Sequence, residues 1–122
     1  MDLLSRLESL VEAVRQEILT TGTVTIRGRP FVPSTLQKKT PYDGLCAGAV
    51  EKLKELAPDL EVRDLSLDLP GLRKHVVAEV RTQEGVVIVD PTIEQYLPRA
   101  KHIYSSFQEY PLPILGKPYR PA

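Results

Sequence analysis

The chain has 122 residues and is 42% hydrophobic, enough for one compact core and too little for a second domain. Lysine plus arginine and aspartate plus glutamate balance at 16 each, and the basic residues are scattered, which excludes the clustered positive footprint of a nucleic-acid binder. No apolar run approaches the roughly 18 residues of a membrane span, and the single cysteine, Cys46, excludes an internal disulfide.

The N-terminal segment carries an early acid, Asp2, and no basic stretch ahead of an apolar block, so it does not read as a secretion signal. The expectation is a soluble, cytoplasmic protein, or one delivered into a target cell by machinery that these residues do not reveal. Leu3, Leu4, Leu7, Leu10, Val11, Val14 and Ile18 recur at three- and four-residue steps and predict an amphipathic helix over 2–19, ended by Thr20-Thr21-Gly22. The β-branched run 23–27 predicts a strand stopped by Gly28-Arg29-Pro30, and 30–42, with three prolines, reads as irregular.

A second helix is expected over about 44–57, with Asp43 as N-cap and a buried face of Leu45, Ala49, Leu53 and Leu56. Val62, Leu65, Leu67 and Leu69 suggest a strand or extended segment before Pro70-Gly71. Residues 74–90 form the clearest hairpin, turning around Gln83-Glu84-Gly85. The proline-rich tail, about 98–122, follows an irregular stretch from residue 91. Ile103, Tyr104, Phe107, Tyr110, Leu112 and Ile114 make it too apolar for a solvated linker. It is expected to wrap a single domain spanning 1–122, partly as an edge strand.

Three residues carry candidate chemistry. Cys46 falls in the first turn of the second helix, where unpaired N–H groups and the helix dipole favour thiolate and can stabilise an oxyanion. His75 opens the first hairpin strand and Asp90 closes the second. Their odd separation puts both on one face only if the loop has an even length, and a two-residue Glu84-Gly85 loop satisfies this. Asp90 then fixes one ring nitrogen of His75 and leaves the other for the Cys46 proton.

Each residue alone has an ordinary explanation. A helical cysteine is usually a small core hydrophobe, a strand histidine is usually structural, and Asp-Pro usually starts a turn. The joint pattern carries the site. Zinc is a poorer use of one cysteine and two histidines without tight ligand spacing, so no metal or cofactor is expected. His102 reads as a surface residue remote from the site, and Arg63, Arg73 and Arg81 as solvated charges.

The order Cys46…His75…Asp90, with His75-Val-Val-Ala-Glu-Val and Val87-Ile-Val-Asp90-Pro91-Thr92, resembles the papain-like and transglutaminase-like superfamily. The run from Gly44-Leu45-Cys46-Ala47 to Asp90-Pro91-Thr92-Ile93-Glu94-Gln95-Tyr96-Leu97-Pro98 is similar to the compact papain-fold toxin domains of bacterial polymorphic toxins. The resemblance implies an α+β fold, with an N-terminal helix and a central nucleophile helix packed on a small antiparallel sheet. It also implies thiol-dependent acyl transfer, foremost protein-glutamine deamidation, with a protein substrate and a cognate immunity protein as partners.

The sequence departs from papain-type proteases, which carry a second cysteine and an aromatic residue beside the nucleophile. Here Ala47 follows Cys46 and there is no tryptophan. Thr40 stands where those enzymes place an oxyanion glutamine. Gln37, Tyr42 and Gln95 are the other candidate oxyanion or substrate contacts. Proteolysis, cross-linking and a non-catalytic binding module stay open beside deamidation, because a triad does not choose among them.

Overall fold

The computed structural model describes residues 2–71 and 73–120, so Met1, Leu72 and Pro121–Ala122 of the expected domain lie outside the described residues. The chain is an α+β fold of two helices, a four-stranded antiparallel sheet and a short two-stranded ribbon.

Helix α1 (Leu3–Thr21) begins at Asp2, whose side chain accepts from Ser5 N–H at 2.7 Å. It ends at Gly22, whose φ of 83° is the left-handed C-terminal conformation. Leu7, Val11, Val14 and Ile18 are buried, but Leu4, expected on that face, is 54% exposed. Of the strand expected over 23–27, only Thr25–Ile26 is strand, and the chain then turns back. β1 (Thr25–Ile26) pairs with β2 (Arg29–Pro30) across Arg27 and Gly28, both at positive φ. Pro30 is therefore in the ribbon rather than a stop signal.

Helix α2 (Cys46–Leu56) is shorter than expected. Its N-cap position is Leu45, without a side-chain cap. Asp43 instead closes the preceding loop, accepting from Lys39 N–H at 2.8 Å and Thr40 Oγ1–H at 2.7 Å. Leu45, Ala49, Val50 and Leu53 are buried, whereas Leu56, at the last helical position, is 39% exposed.

β3 (Val62–Leu69), β4 (Arg73–Thr82), β5 (Gly85–Val89) and β6 (Ile103–Tyr104) lie side by side in that order, every pair antiparallel. The hairpin loop has two residues, as the parity argument requires, but they are Gln83 and Glu84 rather than Glu84 and Gly85. Thr82 pairs with Gly85, and Thr82 Oγ1 donates to Gly85 O at 2.9 Å.

Period-two alternation gives the sheet two apolar faces. Ala78, Val80 and Val89 pack under α1 and α2. Leu65, Leu67, Leu69, Val77 and Ile88 on the other face are covered by Ile93 and by the tail through Tyr104 and Tyr110. The tail also closes both sheet edges. β6 pairs with β5, while Ser66 and Tyr119 exchange backbone hydrogen bonds of 2.7 and 3.0 Å outside β3.

Candidate active site

The site lies where β5 stops. Its last pair is Ala78–Val89, so continuing the register puts Asp90 opposite Val77, with His75 one diagonal step further along β4. His75 and Asp90 share the tail-covered face, as the parity of the loop demands. Both are fully buried, and His75 Nε2–H donates to Asp90 Oδ2 at 2.7 Å. That bond fixes the tautomer and leaves Nδ1 for a second partner.

Helix α2 packs on the opposite face of the sheet, so the thiol must reach His75 past a strand edge. The edge is open there because β5 has ended. Val76 pairs with Ser66, whose N–H and C=O both turn outward to Tyr119. This is the non-hydrogen-bonded pairing, in which Val76 N–H points away from β3 and off the vacated edge. Val76 N–H, Ala47 N–H and the His75 ring are the neighbours of the Cys46 sulfur that favour its thiolate. Cys46 itself remains partly exposed. The first backbone bond of α2 runs from Ala49 N–H to Leu45 O, which leaves the first-turn N–H groups outside the helix ladder.

The electrostatics favour an ion pair. Burial works against the Cys46 thiolate, but the hydrogen bond and charge of His75 and the two backbone N–H groups outweigh it, and the thiol pKa is lowered. Burial also works against the charged imidazole. The charge and hydrogen bond of Asp90, with those of Cys46, prevail and raise His75 from 6.5 to about 9.

Asp90 is held on all sides. Its N–H donates to His102 O at 2.8 Å, Oδ1 accepts from Thr92 N–H at 3.3 Å, and Oδ2 accepts from Tyr110 O–H at 2.5 Å as well as from His75. Sequence reasoning missed Tyr110 because it sits twenty residues beyond Asp90 in an irregular tail, marked only as one apolar residue among many. The His75 ring meets Tyr96 edge-on at 5.2 Å, and Arg73 lies over Tyr96 at 5.1 Å. Arg73 is thus not merely a solvated charge. Arg63 and Arg81 both pair with Glu61.

Of Gln37, Tyr42 and Gln95, only Gln95 has a polar contact with the three residues. Its Nε2 lies 3.5 Å from His75 Nδ1 and donates to Thr92 Oγ1 at 3.1 Å. Gln37 is exposed, and its N–H bonds Thr35 Oγ1. Thr40 is committed to Asp43. Tyr42 is buried beside Arg15 and Glu94. Glu94 also accepts from His102 at 2.7 Å, so His102 is a half-buried partner rather than a free surface residue. It belongs to the site's surroundings through both Glu94 and its backbone bond to Asp90.

The small residues around Cys46 serve the protein's own packing. A Cβ on Gly48 would meet the Phe31 ring at 2.6 Å, and one on Gly44, at φ 76°, would meet Thr35 N at 2.9 Å. A groove of about 890 Å³ lies at the hairpin-tip end, between Leu3, Leu7, Leu60, Val87 and Ile103, and contains none of the three site residues. Among the described residues, no group of three or more His, Cys, Asp or Glu side chains could hold a metal ion, and no helix is long and apolar enough to cross a membrane.

The comparisons with protein-family models, curated proteins and solved structures gave no match for this chain.

Proposed function

We propose that this chain is a thiol acyl-transfer enzyme on a papain-like or transglutaminase-like fold, and that its reaction is deamidation of glutamine side chains in a protein substrate. The observation that carries the reading is the grouping of Cys46, His75 and Asp90, in which His75 bonds Asp90 and acts on the Cys46 thiol. It combines a partly exposed cysteine, its thiol pKa lowered, with a buried imidazole at about 9 and an aspartate that binds Nε2 and leaves Nδ1 to other partners.

In this reading the Cys46 thiolate adds to the carboxamide carbon. The negative charge that develops on oxygen is met by first-turn N–H groups of α2, with Gln95 as the side-chain amide beside the ring. His75 Nδ1–H gives its proton to the amide nitrogen, the C–N bond breaks, and ammonia leaves a thioester. Water then attacks the thioester carbon as neutral His75 takes its proton. The C–S bond breaks, glutamate is released and the Cys46–His75 ion pair returns.

The choice of a carboxamide over a peptide bond rests on the resemblance of the run Gly44–Pro98 to papain-fold toxin domains. The same resemblance suggests action inside a target cell and control by an immunity protein. The test is mass spectrometry of a lysate treated with wild type and with Cys46→Ala. A gain of about 1 Da on glutamines with wild type alone is expected. New peptide termini would replace deamidation with proteolysis, and mass-linked peptide pairs would replace it with cross-linking. No difference between the two proteins would support a binding module. Slower growth of cells expressing wild type than of cells expressing Cys46→Ala is the companion expectation for a toxin.

A further inference from the structure

We infer that Tyr110 is a positioning residue of the Cys46 site, whose hydroxyl shares Asp90 Oδ2 with His75 and so sets how much of the carboxylate's charge the imidazole feels. The inference rests on the reading of Cys46, His75 and Asp90 as the reacting set.

The geometry is specific. One carboxylate oxygen accepts two hydrogen bonds, from Tyr110 O–H at 2.5 Å and from His75 Nε2–H at 2.7 Å. The partly positive phenolic hydrogen stands beside the oxygen that faces the imidazole and offsets part of its negative charge. Tyr110 is 6% exposed, and burial followed by the nearby Asp90 charge raises its pKa, so it stays protonated and donates. Its ring is held edge-on by Tyr104 at 5.3 Å and Phe107 at 5.7 Å. These contacts restrain the hydroxyl independently of the bond that it makes.

The carboxylate does not depend on Tyr110 for its place. Thr92 N–H still holds Oδ1, and His102 O still holds the Asp90 backbone. Removing the hydroxyl alone therefore leaves the His75–Asp90 bond in position and exposes the imidazole to more of the negative charge. The other groups facing His75 are unchanged by this: Cys46 from α2, Tyr96 after β5 with Arg73 over it, and Tyr104 near Asp90 in the tail. The tail thus tunes the site as well as covering the sheet.

The experiment is a titration of the His75 ring followed by NMR, simple to assign because the chain has two histidines. In Tyr110→Phe the His75 midpoint is expected to rise by about half a pH unit or more. Site-specific 3-fluorotyrosine at position 110, a stronger donor of nearly the same shape, is expected to lower it. Phe107→Leu, which loosens packing on the same ring without touching the carboxylate, is expected to lower Tm and leave the midpoint in place.

An unchanged midpoint in folded Tyr110→Phe would overturn the inference, and so would a fall, which would make the tyrosine a mere support for the carboxylate. Should Tyr110→Phe fail to fold, the fluorotyrosine protein decides alone. Failure of the deamidation reading is seen separately, as no mass gain in treated lysate while the titrations still respond to position 110.

Discussion

His75 and Asp90 meet on a diagonal of the β4–β5 hairpin, not directly across it. Asp90 continues the register opposite Val77, and its Oδ2 reaches back 2.7 Å from His75 Nε2. The diagonal has a consequence for the thiol. His75 lies on the part of β4 that β5 no longer covers, so Cys46, carried by a helix on the other face of the sheet, can reach it around an open edge. A hairpin with His75 and Asp90 directly paired would extend β5 along that edge and occupy the Val76 N–H that now serves the sulfur.

Replacing Asp90 by Asn tests the relay from its far end. The asparagine keeps the size of the side chain but removes the charge that sustains the imidazolium. Burial, which already opposes the charged ring, then acts unopposed by it and His75 falls towards or below its ordinary range. The thiolate loses its counter-ion. Alkylation of Cys46 by iodoacetamide near pH 7 should slow about 10–30-fold, and turnover should fall about 10³–10⁴-fold. Equal alkylation rates in the two proteins would remove Asp90 from the relay.

The same pair makes stability depend on pH in a defined direction. The folded-state value of His75, about 9, lies above its unfolded value near 6.5. The stabilisation is therefore complete below about 6.5 and is lost as pH rises through about 9, with a magnitude on the order of 3 kcal/mol. Urea denaturation of wild type and Asp90→Asn should show a gap that is widest at pH 6 or below and narrows between about pH 6.5 and 9.5. A gap that stays constant over this range would show that His75 is neutral in the folded protein.

Much of the frame was legible because it follows from short-range periodicity. The three- and four-residue steps of α1, the alternation Leu65, Leu67, Leu69 and the β-branched hairpin strands each predict their own element. The parity of the His75–Asp90 separation also required an even loop. The misreadings come from competing local contacts and from long-range partners. Asp43 has the chemistry of an N-cap, but Lys39 and Thr40 claim its carboxylate first. Tyr110 and His102 acquire their roles only once the tail crosses the sheet and brings them to Asp90 and Glu94. No local spacing encodes that crossing. The same holds for Phe31, whose ring lies against Gly48 seventeen positions along the chain.

Gly48 gives a test of that contact with a sign opposite to intrinsic propensity. Alanine in a helix interior is favoured over glycine by about 1 kcal/mol. At position 48, however, its Cβ would stand 2.6 Å from two carbons of the Phe31 ring. Displacing a half-buried ring that packs on the core costs about 1–3 kcal/mol. Gly48→Ala is expected to lower Tm, and Phe31→Leu to make the same alanine neutral or stabilising. A double-mutant cycle by thermal melting measures the coupling. Additive changes would show that Phe31 is not what keeps position 48 small.

Glu94 offers a pH dependence of the reverse sense. Its carboxylate accepts from Arg15 of α1 at 2.7 Å and from His102 of the tail at 2.7 Å, tying both to the turn that carries Gln95. Burial pushes its pKa up, but the hydrogen bonds and charges of His102 and Arg15 outweigh this, and the pKa is lowered below the ordinary 4.5. A carboxylate with a lowered folded value stabilises the protein above its unfolded pKa and loses that contribution as pH falls through the folded value. Glu94→Gln should therefore cost about 1–3 kcal/mol near neutral pH. The difference from wild type should shrink steadily below about pH 4.5, as the native carboxylate takes up its own proton. Urea denaturation at about pH 7 and about pH 3 measures both ends. A difference of equal size at the two pH values would mean that the glutamine disturbs packing in this network, and that the charge of Glu94 is not what holds helix, turn and tail together.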